Sequence, residues 1–79
     1  MTQAQTLAKA LNPLAKSPQF NHSKARATAR GDANVDWAAT KARNEDFNAE
    51  VDGCETFVMK DGSVAEWSSI SSSYTAKAK

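Results

Sequence analysis

The side chains best suited to acid–base or nucleophilic chemistry in this chain are one histidine and one cysteine. His22 would need a nucleophile or a carboxylate partner to transfer protons, and no such residue lies at a spacing that indicates a catalytic pair. Cys54 could act with His22 only if folding brought the two together, whereas a lone cysteine in a small domain is more often a buried apolar side chain. We therefore predict that the protein has no catalytic residues and is not an enzyme.

The potential metal ligands and nucleotide-binding motifs are equally sparse. Zinc sites combine several cysteine and histidine ligands, and this chain has one of each. Its three glycines form neither a P-loop nor a dinucleotide-binding motif. An acidic cluster lacks the D-x-[DN]-x-[DN]-G spacing of a calcium loop and is interpreted as a solvated face; it consists of Glu45, Asp46, Glu50, Asp52 and Glu55. We predict no metal site and no cofactor.

A basic stripe between residues 22 and 30 is the best candidate for a binding surface. His22, Arg26 and Arg30 recur every four residues, so a helix would place them on one side, with Lys24 close by. The small residues between them would let a phosphate backbone approach. However, acidic residues follow directly, and the formal net charge of the chain is only +1. Three interpretations stay open: a solvated helix face, a site for an acidic protein partner, or a site for nucleic acid.

Three large aromatic residues form the second group of binding candidates: Trp37, Trp67 and Tyr74. Tryptophan and tyrosine are the side chains most often found at interface hot spots. We expect one tryptophan in the core and the other, Trp37, on the surface, because Trp37 departs from the apolar side of its helix. A serine-rich segment follows Trp67 and could form an open strand edge, through which a partner or a second copy of the chain could pair.

The length and the single cysteine limit the architecture. A chain of 79 residues forms one domain, 1–79, with a thin core that favours stabilisation by a partner. One cysteine cannot form an internal disulfide, which is typical of a reducing cytosol. There is no apolar run of signal-peptide or membrane-spanning length, so we expect a cytoplasmic protein that does not bind membranes.

Three segments of the N-terminal half have helical patterns. In the first, Leu7, Leu11 and Leu14 lie on one side, Thr2 can cap the start, and Pro13 predicts an end near residue 12. The second is predicted to begin with a Ser17 cap and Pro18. The third is predicted to begin with a cap at Asp32 or Asn34, with Asp36 in its first turn, and its apolar side comprises Val35, Ala38, Ala39 and Ala42. A single helix over 18–43 is the alternative, but Gly31 favours two.

The C-terminal part predicts a β-hairpin, because Asp61-Gly62 is a strong turn signal between two apolar runs. A two-residue turn would pair Met59 with Val64. A three-residue loop with a bulge would pair Met59 with Ser63 and Phe57 with Ala65, and we favour it because it gathers the apolar side chains on one face. The segment 69–76, in which Ile70, Ser72 and Tyr74 alternate, can supply a third strand, and residues 76–79 are expected to fray.

The segment DGCETFVMKDGSVAEW resembles a hairpin of many very small proteins of bacterial viruses, in which a short helical front precedes an E-T-[FY]-V-x-x-D-G-S pattern. The matching residues are Glu55, Thr56, Phe57, Val58, Asp61, Gly62 and Ser63. The resemblance implies a small accessory protein of the phage type that binds a host or viral macromolecule, and the host cytoplasm as its location. It implies no functional residues.

Together these patterns predict an α+β fold in which two or three short N-terminal helices pack on a C-terminal β-hairpin or three-stranded antiparallel sheet. The predicted core comprises Leu7, Leu11, Val35, Phe57 and Trp67. The predicted function is that of a non-enzymatic protein-binding module that inhibits or modulates a larger protein. Nucleic-acid binding through the basic stripe is the alternative.

Overall fold

The computed structural model describes residues 1–43 and 56–78, apart from the side chain of His22. Three helices precede a three-stranded antiparallel sheet with the strand order β1-β2-β3. The elements are α1 (Gln3–Ala15), α2 (His22–Ala29), α3 (Trp37–Arg43), β1 (Thr56–Val58), β2 (Val64–Ser68) and β3 (Ser73–Lys77). The predicted α+β fold is confirmed, with three helices and a third strand. Cys54 and the acidic cluster at 45–55 lie outside the described residues.

Helix α1 begins as predicted but continues past its predicted end. Thr2 and Gln5 form a capping box, in which each side chain accepts a hydrogen bond from the other residue's backbone N–H. The prediction that the helix ends near residue 12 is wrong, because α1 includes Pro13 and ends at Ala15. Pro13 lies in the last turn of α1 and is exposed. Lys9, one turn earlier, is also exposed, and its carbonyl lacks the hydrogen bond that a backbone N–H at position 13 would donate. The lost bond therefore lies where water can replace it.

The break predicted near Gly31 is confirmed, since α2 ends at Ala29 and α3 begins at Trp37. The predicted start of α2 is wrong. Ser17 and Pro18 lie in a turn, and α2 starts at His22 behind an Asn21 cap, whose side chain accepts from the Lys24 N–H at 3.0 Å.

The predicted start of α3 is also wrong, by several residues. Val35 bridges Met59 at the edge of the sheet, so its backbone belongs to the sheet and a helix cannot yet begin. Asp36, expected inside the first turn, instead precedes α3, and its carboxylate accepts from the Ala39 N–H at 3.1 Å. The buried residue of α3 is Thr40, whereas Ala38 and Ala42 of the predicted apolar side are exposed.

The hairpin between β1 and β2 adopts the three-residue loop that we favoured. Phe57 pairs with Ala65, and the Met59 N–H donates to the Ser63 carbonyl at 2.9 Å. Gly62 has a φ of 87°, a left-handed conformation that a glycine adopts without steric cost. The Asp-Gly signal therefore predicted the turn, and the apolar alternation around it predicted the register.

The third strand starts later and ends later than its pattern suggested. Ile70 lies in the turn and is 98% exposed, and Ser72 closes that turn with a φ of 50°. β3 then begins at Ser73 and runs to Lys77, which pairs with Val64. Ala76 and Lys77, two of the residues expected to fray, are therefore part of the sheet.

The core lies between α1, α2 and one face of the sheet. Four predicted core residues are buried, namely Leu7, Leu11, Val35 and Phe57, and Trp67 is partly buried against them. Ala4 and Ala8, expected on the apolar side of α1, and Met59 and Ala65, expected on the apolar face of the hairpin, are buried as well. The core members that were not predicted are Ala25, Ala29 and Tyr74. Small side chains bury little area each, so they gave no strong apolar signal in the sequence.

Candidate functional site

The Asp-Gly-Ser corner of the first hairpin is docked on the N-terminus of α1. The Gln3 N–H donates to Asp61 Oδ2 at 2.9 Å, and the Ala4 N–H donates to Ser63 Oγ at 3.0 Å. In return, the Asp61 N–H donates to Gln3 Oε1 at 2.9 Å. The first N–H groups of a helix have no partner within the helix, so the hairpin supplies two caps that α1 itself lacks. This corner therefore has a structural role.

Asp61 is an acceptor for several donors at this junction. The Ser63 hydroxyl donates to it through a very short hydrogen bond, the Ser63 N–H donates at 2.8 Å, and the Gln3 N–H completes the set. These bonds, the one from the Ser63 hydroxyl first, hold the pKa of Asp61 below its ordinary value. The junction is thus most stable with Asp61 ionised, as it is at neutral pH.

All five aromatic side chains in the described part of the chain belong to one connected cluster. Their ring centroids are separated by 6.2 Å for Trp37–Phe57, 5.9 Å for Phe57–Tyr74, 5.1 Å for Tyr74–Trp67 and 5.5 Å for Trp67–Phe20. The two ends of this series reach the surface, because Trp37 is 36% exposed and the stacked Phe20–Trp67 pair is partly exposed.

The three predicted aromatic binding residues therefore occupy different environments. Tyr74 is only 2% exposed, and its ring contacts Phe57, Phe20 and Trp67, so it belongs to the core. Trp37 is exposed as expected, whereas Trp67, expected in the core, is only partly buried; each tryptophan contacts a core ring. Only Trp37 and Trp67 can contribute to a surface.

The predicted basic stripe is narrower than its spacing indicated. α2 turns Ala25 and Ala29 toward the core, which leaves Lys24 and Arg30 exposed and Arg26 partly buried. Lys24 and Arg30 are six positions apart, so they point in directions about 120° apart around the helix axis. The α2 helix begins at the backbone of His22. The two exposed cations, Lys24 in α2 and Arg30 at its C-cap, therefore lie on different sides of the helix and do not form a single row.

A wider basic surface includes α1 as well as α2. Residues 1–31 contain no aspartate or glutamate, and their lysines and arginines are Lys9, Lys16, Lys24, Arg26 and Arg30. All of these except Arg26 are exposed. We call α1, α2, their connection and the cap residue Arg30, residues 3–30, the two-helix layer. In it, α1 packs on β2 and β3 and α2 packs on α1, and all charged side chains described there are cations.

The acidic residues of the described part of the chain lie outside the two-helix layer and accept hydrogen bonds or form ion pairs within the fold. Asp32 accepts from the Asn34 N–H at 2.8 Å, and Asp36 and Asp61 accept the backbone bonds described above. Glu66 pairs with Lys77 at 2.9 Å and Arg43 at 3.3 Å, and these bonds, the one from Lys77 first, lower its pKa.

By contrast, four cations of the two-helix layer make no ion pair with any described residue: Lys9, Lys16, Lys24 and Arg30. Unpaired surface cations in one layer attract anionic partners. The net charge of the whole chain, +1, conceals this basic surface. The signal was nevertheless present, as the lack of acidic residues before position 32.

Within residues 1–43 and 56–78, no group of three or more histidine, cysteine or acidic side chains is placed to hold a metal ion. In the same residues, no helix has the length and apolar character needed to cross a membrane. Comparison with protein-family models, with curated proteins and with solved structures finds no match for this chain.

Proposed function

We propose that this protein is a non-enzymatic binding module whose two-helix layer docks on an acidic surface of a protein partner. The observation that carries the proposal is the separation of charge. The two-helix layer has exposed cations that pair with no acidic residue of the described part of the chain, whereas the described acidic residues are bonded within the fold. Complementary charge speeds association and selects partners.

A protein surface suits this layer because apolar side chains lie among its cations. Leu14 is 37% exposed at the end of α1, and the stacked Phe20–Trp67 pair is partly exposed just before α2. Ala10 and Ala27 add small exposed residues that permit close approach. Protein interfaces combine aromatic or aliphatic anchors with a polar and charged rim.

The test compares two double variants that change the net charge equally. Lys24→Glu/Arg30→Glu alters the two-helix layer, and Lys41→Glu/Lys60→Glu alters exposed cations of α3 and the first hairpin turn. We would capture partners from nuclease-treated host extract, identify the captured protein and measure its affinity for each variant by calorimetry. We expect at least a tenfold loss, about 1.4 kcal/mol, for the first variant only. Equal affinities for both variants would contradict the proposal.

Nucleic-acid binding is the second candidate, because residues 1–31 contain basic residues and no acidic ones. Phosphate contacts would make retention on immobilised DNA steeply salt-dependent. Such retention, lost in Arg26→Ala/Arg30→Ala, together with no captured protein after nuclease treatment, would favour this candidate over a protein partner.

The resemblance of the first hairpin to those of small bacteriophage proteins supports a more specific proposal. We propose that the chain is a phage-type accessory protein that acts in the host cytoplasm by inhibiting or modulating a larger protein. Its activity would follow from occupying the acidic surface of that protein. A captured partner whose activity is unchanged by saturating amounts of this chain would contradict the inhibitory role while leaving the binding role intact.

A further inference from the structure

In the described part of the chain, a polar side chain from a helix bonds to the backbone at each outer edge of the sheet. At β1, Thr40 Oγ1 accepts from the Val58 N–H at 2.9 Å and donates to the Val58 carbonyl at 3.3 Å. At β3, Asn12 Oδ1 accepts from the Tyr74 N–H at 2.7 Å, and Asn12 Nδ2 donates to the Tyr74 carbonyl at 3.1 Å. A residue of a neighbouring antiparallel strand would make the same pair of bonds.

The two edges differ in how much of their length is covered. At β1, the Asp36 N–H also donates to the Val58 carbonyl at 2.8 Å, and the Lys60 N–H donates to the Asn34 carbonyl at 2.8 Å. At β3, the backbone of Tyr74 and Ala76 faces outward, because outward and inward groups alternate along a strand. Asn12 covers Tyr74 alone. Among residues 1–43 and 56–78, a single side chain therefore covers the β3 edge.

We propose that the Asn12 carboxamide keeps the β3 edge from pairing with the β3 edge of a second copy of this chain. An antiparallel β3–β3 pair centred on Thr75 would place Tyr74 of each copy opposite Ala76 of the other. The outward backbone groups of both residues would then be hydrogen-bonded, in a two-fold symmetric contact. Asn12 prevents this because it already bonds to the N–H and the carbonyl of Tyr74. The outward groups of Ala76 by themselves are too few for strand pairing.

The test is to remove the carboxamide and to measure self-association by sedimentation equilibrium. We expect the dimer dissociation constant of Asn12→Ala to be at least about tenfold lower than that of the wild type, because the edge gains backbone bonds. Hydrogen exchange at the Tyr74 amide of Asn12→Ala should slow as the protein concentration rises. Gln19→Ala removes an exposed carboxamide away from this edge and should leave the dissociation constant unchanged.

Two further variants separate edge pairing from partial unfolding. Asn12→Ala/Ala76→Pro removes the outward Ala76 N–H and should restore the wild-type dissociation constant, since proline blocks an edge. Asn12→Asp keeps the bond from the Tyr74 N–H but cannot donate to its carbonyl when ionised, so it should associate with intermediate strength. If Asn12→Ala and Asn12→Asp retain the wild-type circular dichroism spectrum and associate no more than the wild type, the inference is wrong. Equally strong association of the proline double variant would also overturn it.

Discussion

Helices α1 and α2 contact each other, yet their N-termini are capped in different ways. α1 buries Leu7 and Leu11 together with two alanines, and its N-terminus is capped by the distant residues Asp61 and Ser63. α2 buries two alanines, and the cap at its start is the adjacent Asn21. The N-terminus of the first helix is therefore capped both by its neighbour Thr2 and by residues far away in the chain, whereas the cap of the second helix is an adjacent residue.

Because of this difference, we expect substitutions in α1 to affect mainly stability and substitutions at exposed positions of α2 to affect mainly the proposed binding. Burying a leucine side chain contributes about 1.5–3 kcal/mol, whereas an alanine buries far less apolar area. Changes in α1 should therefore act on stability first. The exposed residues of α2 contribute little to stability, so we infer that their cationic character serves the proposed partner.

The largest effect should come from truncating the α1 core. Leu11 is completely buried, so Leu11→Ala should lower the free energy of unfolding by about 2–5 kcal/mol. That range is comparable to the whole stability expected of a core this small, so much of the protein should be unfolded at 25 °C. Leu14→Ala is the matched control on the same helix; Leu14 is 37% exposed, and this variant should unfold near the wild-type urea concentration.

The second effect concerns the cap that the hairpin supplies to α1. Ser63→Ala leaves the Ala4 N–H without its acceptor in a buried site and should lower the free energy of unfolding by about 1–3 kcal/mol. Ser23→Ala, at an exposed position of α2, should change it by less than about 0.5 kcal/mol. Urea unfolding followed by tryptophan fluorescence measures both. Similar losses in the two variants would remove the contrast between the helices.

A smaller loss is expected from the local cap of α2. Asn21→Ala removes the acceptor for the Lys24 N–H and should cost about 1 kcal/mol. Asn34→Ala, at an exposed position before α3, is the control and should cost less than about 0.5 kcal/mol. If Asn21→Ala destabilised the protein as much as Leu11→Ala, the distinction between long-range and local support would fail.

The effect of pH on the α1 junction should be the smallest, because Asp61 is exposed to solvent. Its pKa is lowered in the folded state, so ionised Asp61 stabilises the fold above the pKa of the unfolded chain. That contribution is lost as the pH falls from about 4 through the lower folded-state pKa. We expect the decline of unfolding free energy in this acidic range to be shallower in Asp61→Asn than in the wild type. Parallel declines would show that the junction does not depend on this carboxylate.

Features encoded by neighbouring residues were predictable here. Asp61 and Gly62 indicated the turn, and the apolar alternation around them indicated the register, because a shift by one residue would have turned Phe57 away from the core. The Thr2 cap and the break near Gly31 were visible for the same reason. Pro13 was misjudged, since its cost depends on whether the lost hydrogen bond lies on an exposed side, and the sequence does not show this.

The candidate surface was only half visible. The spacing of Arg26 and Arg30 indicated a basic helix face. However, α2 packs with Ala25 and Ala29 toward the core, and in this orientation the adjacent Arg26 is partly buried. Tyr74 was predicted as a binding residue because tyrosine favours interfaces, whereas its pairing opposite Trp67 in the sheet places it in the core. Both corrections depend on which elements pack together.

The amino-acid sequence by itself determined the short helices, the Asp-Gly hairpin and the charge separation between residues 1–31 and the rest of the chain, because each depends on residues close together in the chain. Only the tertiary structure decided that Ser63 caps α1, that Asn12 occupies the edge of β3 and that the two helices place their cations in one layer. These contacts join residues about sixty positions apart, and a hydrogen bond forms only where folding brings donor and acceptor within about 3 Å of each other.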